Sequence, residues 1–126
     1  MALDVCWNNN ADAKDYVNKV TSFFVGQSDT EGLGALVDLY EGGGTACSGC
    51  SSPPKSNSMS IIGTAAVGAM ATGNAAHKAF LDRAWQFILD ANYTADPTFK
   101  EGGYTYYNAT VGLLTALTLT GNFNNF

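Results

Sequence analysis

Three kinds of side chain in this chain of 126 residues could carry chemistry: a close pair of thiols, one imidazole and a few carboxylates. Cys47 and Cys50 form a C-x-x-C within GGGTACSGCSSPPKS, a loop by composition. A redox C-x-x-C opens a helix after a strand, and this one does not. A zinc site needs a second close pair of ligands, and Cys6 and His77 lie far from the first in sequence. The spacing leaves a local disulfide or two free thiols, with Cys6 over in either case. His77 is the only histidine, so any Ser-His-Asp arrangement must use it. It falls in the first turn of an expected surface helix, where a solvated imidazole is the expectation.

Among the carboxylates, Asp12, Asp15, Asp82 and Asp90 fall on expected helix surfaces and solvate them. Asp4, Asp38, Glu41 and Glu101 are the candidates for acid or base work. Glu101 draws most interest, because Gly102 and Gly103 follow it and the stretch GGYTYYNATVGLLTALTLTGNF begins there. Tyr104 and Tyr107 in that stretch read in two ways. They bury their rings and bond their hydroxyls at the rim of a core, or they form a binding edge.

The elements that would position these residues are helical. Asn10 is placed to cap a helix with Asp12 in its first turn, where a carboxylate favours the dipole. Ala13, Tyr16, Val17, Val20, Phe23 and Phe24 recur at helical spacing, and Gly26 is the expected stop. The preceding ALDVCWNN has the spacing of another helix tail. From Gly26 to Ser56 helical signal is scarce; a short hairpin near Leu36 to Tyr40 and a long Gly/Ser-rich loop are expected. A loop of that length is functional or pinned.

NSMSIIGTAAVGAMATGN is apolar all round, with Ile61, Ile62, Ala65, Ala66, Ala69 and Met70 facing inward, and such a helix belongs in an interior. Gly73 closes it and Asn74 caps the next helix, whose stripe is Ala76, Phe80, Ala84, Phe87, Ile88 and Ala91. Trp7 and Trp85 read as core by spacing. A last helix runs from about Tyr106 to Thr120 and stops at Gly121. The order of amphipathic helix, turn and smooth apolar helix predicts an all-α chain of antiparallel hairpins in two layers. Four or five helices do not close such a ring, so a partner is expected to complete it.

Composition sets limits on what such a chain meets. Lys and Arg number 6 against 11 Asp and Glu, with no basic cluster to neutralise phosphates, so nucleic acid is excluded as a partner. The longest apolar runs, Ala65 to Ala71 and Val111 to Leu119, fall short of a bilayer span. A surface of Asn, Thr, Ser, Gly and Tyr suits hydroxyl-rich partners such as sugars. Asn92 and Asn108 begin glycosylation sequons, the second at an awkward place inside the tyrosine cluster.

Three stretches taken together, L-D-x-x-W-x-x-N-A-D-A-K from Leu3, SMSIIGTAAVGAMA from Ser58 and the closing GGYTYYNATVGLLTALTLTGNF, resemble the C-terminal third of family 8 glycoside hydrolases. Those are inverting enzymes that cut β-1,4-glucan, xylan or chitosan inside an (α/α)6 barrel. The resemblance covers Leu3 to Phe123, leaving the cysteine loop as a departure. It implies that residues 1–126 are one domain, the C-terminal portion of such a barrel, that no cofactor or metal is needed, and that the parent enzyme is secreted or periplasmic. Tyr104 and Tyr107 match tyrosines that line the sugar cleft, which makes a β-1,4-linked polysaccharide or oligosaccharide the implied partner.

The family's general acid and base have no matching position here, and Asp4 matches a later structural aspartate. An inverting glycosidase needs an acid and a base on opposite faces of the sugar with water between. The expectation is therefore a fragment or shortened relative that is inactive alone, completed by a missing N-terminal portion or by further copies of itself. The alternative is a non-catalytic carbohydrate-binding or structural helical protein.

Overall fold

The computed structural model describes residues 1–54, 58–91 and 105–122. Five α-helices account for most of them: α1 (Ala2–Asn8), α2 (Ala11–Glu31), α3 (Met59–Thr72), α4 (Lys78–Asp90) and α5 (Thr105–Leu119). Short 3₁₀ turns at Leu33–Ala35 and Ala75–His77 complete the regular structure. The chain is all-α. In place of the expected hairpin near Leu36 to Tyr40 there is an isolated antiparallel bridge between Tyr40 and Ala46. No strand occurs among the described residues.

Asparagines build the corner between the first two helices. The Asn8 side-chain amide donates to Asp4 at 2.6 Å, and Asn9 takes the left-handed conformation at φ 49°. Asn10 then caps α2, its Oδ1 accepting from the backbone of Asp12 and Ala13 at 3.1 Å each. Asparagine tolerates the left-handed region and offers a side-chain acceptor, which is why a run of three can reverse the chain.

Helix α2 passes the expected stop at Gly26 and ends only at Gly32, with φ 85°. An interior glycine costs a helix about 1 kcal/mol relative to alanine. Burial of Ser28 beyond it, and the bonds from Arg83 to Ser28 and Asp29, offset that. Downstream, the signals hold where expected. Gly73 closes α3 at φ 60°, and Asn74 Oδ1 accepts from Ala76 at 3.0 Å. After α5, Gly121 at φ 73° lets Asn122 donate to Leu117 at 2.8 Å, a Schellman closure.

Helix α3 is the hub and packs against α1, α2, α4 and α5. Met59, Ile62, Ala65, Ala66 and Ala69 are buried on it, together with Gly63 and Gly68. The main core joins Ile62, Ala65, Ala66 and Ala69 to Val25 of α2, Leu36 of the following segment, and Phe80 and Ala84 of α4, while Met59 packs with Ile88 in a second cluster. Each fully buried large side chain contributes about 2 kcal/mol. On α2 the buried row is Ala13, Val17, Thr21, Val25 and Ser28, whereas Tyr16 and Val20 of the expected face are 56% and 40% exposed. On α4, Phe80, Ala84 and Ile88 are buried as expected, while Trp7 of α1 is 39% exposed instead of core.

Two glycines set how close α3 comes to its neighbours. A Cβ at Gly63 would stand 2.5 Å from Thr115 Oγ1 of α5, and one at Gly68 would collide with Thr21 Oγ1 of α2. Thr21 and Thr115 are themselves buried, so neither hydroxyl has room to withdraw. Gly63→Ala therefore sets a helix-propensity gain of about 1 kcal/mol against an overpacking cost of about 1–3 kcal/mol. We expect a net loss near 1 kcal/mol by urea denaturation. In a Thr115→Ala background, which removes the clashing atom, the same change should become neutral or stabilising, a coupling readable in a double-mutant cycle.

Candidate functional site

A groove runs along one side of α3. Its volume is about 520 Å³, and its floor is Thr64, Ala65, Val67 and Gly68. Tyr16, Val17, Val20 and Phe24 of α2 form one wall, Val111, Leu114 and Thr118 of α5 the other, and Met1 to Leu3 close an end. The hydroxyls in it face their own helices: Thr64 donates to the Ser60 carbonyl and Thr118 to the Leu114 carbonyl. What remains toward solvent is almost wholly hydrocarbon, and none of the lining side chains is charged. A smaller hollow, about 250 Å³, lies between α3, α4 and α5 and combines Trp85 with Asp82 and Thr120. Its polar groups beside an aromatic ring are better suited to a hydroxyl-rich ligand than the apolar groove is.

The expected site residues do not converge. Glu101 and Tyr104 lie outside the described residues. Tyr107 lies in the first turn of α5 and is 51% exposed, on the helical stripe that continues through Val111, Leu114 and Thr118 into the groove wall. Asp4 accepts from Asn8 in the α1–α2 corner, and Asp38 is half-buried in the segment after α2. Neither the groove nor the hollow is lined by Asp4, Asp38 or Glu41. Nor does any group of three His, Cys, Asp or Glu among the described residues stand close enough to hold a metal ion. Asn108 of the second sequon is buried, so a folded chain offers no room for a glycan there.

Glu41 works as a structural anchor. Its carboxylate accepts from the Ser48 backbone at 2.9 Å and the Ser48 hydroxyl at 3.0 Å. These bonds, the backbone one foremost, hold its pKa below the ordinary 4.5, so it stays ionised and is no proton donor at neutral pH. The loop around it is pinned at several further points. The Tyr40 ring packs edge-on against Phe23 and Phe24 with centroids 5.3 and 5.9 Å away, and its hydroxyl accepts from the Val37 amide. Cys47 and Cys50 form a disulfide, which settles the alternative left open by their spacing. Cys6 is an exposed free thiol.

His77 departs most from expectation. It is buried, 3% exposed, rather than solvated, because the 3₁₀ turn at Ala75–His77 carries its ring against α2. Nε2 lies 2.9 Å from Ser22 Oγ, and the neighbouring Asn74 amide donates to Asn18 Oδ1 at 2.8 Å. With Arg83 on Ser28 and Asp29, these contacts make a polar seam between α2 and α4. Ser22 and His77 have the spacing of a nucleophile and its base, but a triad also needs a carboxylate on the far nitrogen. Here Nδ1 is buried with no hydrogen-bond partner. Four helically spaced polar residues on one side of α2, Asn18, Ser22, Ser28 and Asp29, were the available signal for this seam.

Burial lowers the His77 pKa below its ordinary 6.5 by disfavouring the charged ring. In the window beneath 6.5 the unfolded chain binds a proton that the folded chain refuses. Stability is therefore full above that value and falls as pH drops through it toward the folded pKa. Thermal melts taken at about pH 7.5 and about pH 5.5 should show this loss, and His77→Gln should shrink the difference between the two. Alkylation under native, non-reducing conditions should label one thiol, Cys6, with three labelled after reduction and unfolding.

Comparison with known proteins adds no relative: no family model matches the chain, and neither a curated protein nor a solved structure matches it significantly.

Proposed function

We infer that this chain is a non-catalytic helical scaffold of the kind that makes up the C-terminal third of inverting β-1,4-glycan endohydrolases, a partial (α/α)6 arrangement rather than a self-sufficient enzyme. One observation carries the reading. A helix apolar on every side, α3, is covered by four helices yet left open along the groove between α2 and α5. A toroid segment lacking its neighbours would have that form. The carboxylates support it too, since Asp4 and Glu41 are committed to structural hydrogen bonds.

A carbohydrate-binding role is the second reading. The exposed Tyr107 ring and the hollow holding Trp85 with Asp82 and Thr120 favour it, because an aromatic face beside hydroxyl-bonding groups is what a sugar ring requires.

Reducing-sugar release from carboxymethylcellulose, xylan and chitosan should stay at background. A positioned acid or base contributes roughly 10²–10⁴-fold each, and a tyrosine does not replace an ionised carboxylate. Turnover abolished by Glu101→Gln would overturn the scaffold reading and make that residue catalytic. Calorimetric binding of a soluble β-1,4-oligosaccharide that disappears in Tyr107→Ala or Trp85→Ala would establish the second reading instead.

A further inference from the structure

One hydroxyl departs from the habit of its neighbours. Thr30, Thr64, Thr110 and Thr118 each donate to the carbonyl four residues back in their own helix, a common resting place for a helical hydroxyl. Ser22, exposed in the middle of α2, is turned instead to the buried ring of His77, with Oγ 2.9 Å from Nε2. The bonds around the ring decide which of the two donates. Asn74 Oδ1 accepts from the Ala76 amide, so the other end of that side chain is its NH2 group. This group donates to Asn18 Oδ1 at 2.8 Å and stands 3.4 Å from His77 Nε2. A ring nitrogen that faces an N–H carries a lone pair, so the ring proton sits on Nδ1 and the Ser22 hydroxyl donates to Nε2. That is the arrangement of a nucleophile with its general base.

We propose that Ser22 is an acyl-acceptor site, its hydroxyl activated by His77 toward acyl donors with a good leaving group, aryl esters and thioesters by class. Ser22 Oγ adds to the acyl carbon as its proton passes to Nε2. The bond from that carbon to the leaving oxygen or sulfur then breaks, and the leaving group departs with the electron pair. Nε2 returns the proton to it, so a neutral ring and an O-acyl Ser22 remain. The unpartnered Nδ1 selects the donor, because no carboxylate stabilises the imidazolium formed on the way. The leaving group must therefore need little help: phenols and thiols, with pKa values of about 10 and about 8.5, qualify, and alkyl alcohols do not. Release of the acyl group by water would expel the Ser22 oxygen, itself an alkyl alkoxide, so the site stops after one turnover. Ser22 lines neither the groove nor the hollow, so no pocket selects the acyl chain and a short one serves. This chemistry is independent of the glycan reading.

Treatment of the full chain with 4-nitrophenyl acetate tests it, after the exposed Cys6 thiol has been blocked with iodoacetamide. Peptide mass spectrometry should find acetyl on Ser22 about 100-fold sooner than on Thr30, an exposed hydroxyl of the same helix with no base beside it. The Ser22 rate should fall less than about twofold from about pH 7.5 to about pH 6.5, because burial keeps the ring unprotonated across that interval. Acylation driven by hydroxide falls about tenfold over the same interval, and a merely structural hydrogen bond does not flatten it. His77→Gln should lower the Ser22 rate about 100-fold with the helices retained by circular dichroism. Should that variant not fold, the comparison with Thr30 and the pH profile of the unaltered chain decide. Acetylation of Ser22 no faster than of Thr30 overturns the proposal. So does a tenfold fall over that pH interval, or full reactivity in a folded His77→Gln.

Discussion

Close approach of helices at two glycines is the constraint on which the rest of the structure depends. With Gly63 against Thr115 and Gly68 against Thr21, α3 lies nearer to α5 and α2 than a helix of ordinary side chains could. That proximity buries two threonines on the flanking helices and lets one fourteen-residue helix serve as the core of the whole assembly. The same small side chains leave shallow relief on the side that no helix covers. Groove and core are thus two results of one choice of residues. A bulkier α3 would fill the groove only by driving α2 and α5 apart.

Helix α2 divides the molecule into two chemistries. On one side its Asn18, Ser22, Ser28 and Asp29 meet Asn74, His77 and Arg83 of the α4 region through directional polar contacts. On the other, Tyr16, Val17, Val20 and Phe24 offer hydrocarbon to the groove. Net hydrogen bonds are worth only about 1 kcal/mol each, and the exposed Arg83–Asp29 pair adds less than that. The seam therefore fixes which faces of α2 and α4 meet, while the stability comes from burial around α3.

Much of this was legible in the residues before any coordinates. The cap at Asn10, the corner at Gly73 and Asn74, the stop at Gly121 and the interior position of α3 all follow from local chemistry that tertiary packing did not override. Gly26 misled because propensity is a weak prior: contacts made by Ser28 and Asp29 in the next turn carry α2 past it. His77 misled because a 3₁₀ turn, with three residues per turn, rotates the ring away from the direction that α-helical spacing gives. Thr21 and Thr115 are polar by type, and only the opposing glycines reveal them as core. The candidate site was the least legible part. Apart from Asp38 and Glu41 its carboxylates are far apart in sequence, and pairing them requires the path of the chain rather than its composition.

The disulfide has a consequence for the environments in which this fold can persist. Cys47 and Cys50 are three residues apart, so their bond closes a very short ring and removes little freedom from the unfolded chain. Chain-entropy arguments put such a ring at about 2 kcal/mol, against nearly 5 kcal/mol for one spanning a hundred residues. The loop it closes is also held by Glu41, Ser48 and the ring of Tyr40, none of which a reductant touches. A thiol-rich cytosol and an oxidising exterior should thus find nearly the same helices, differing only in the tip of one loop.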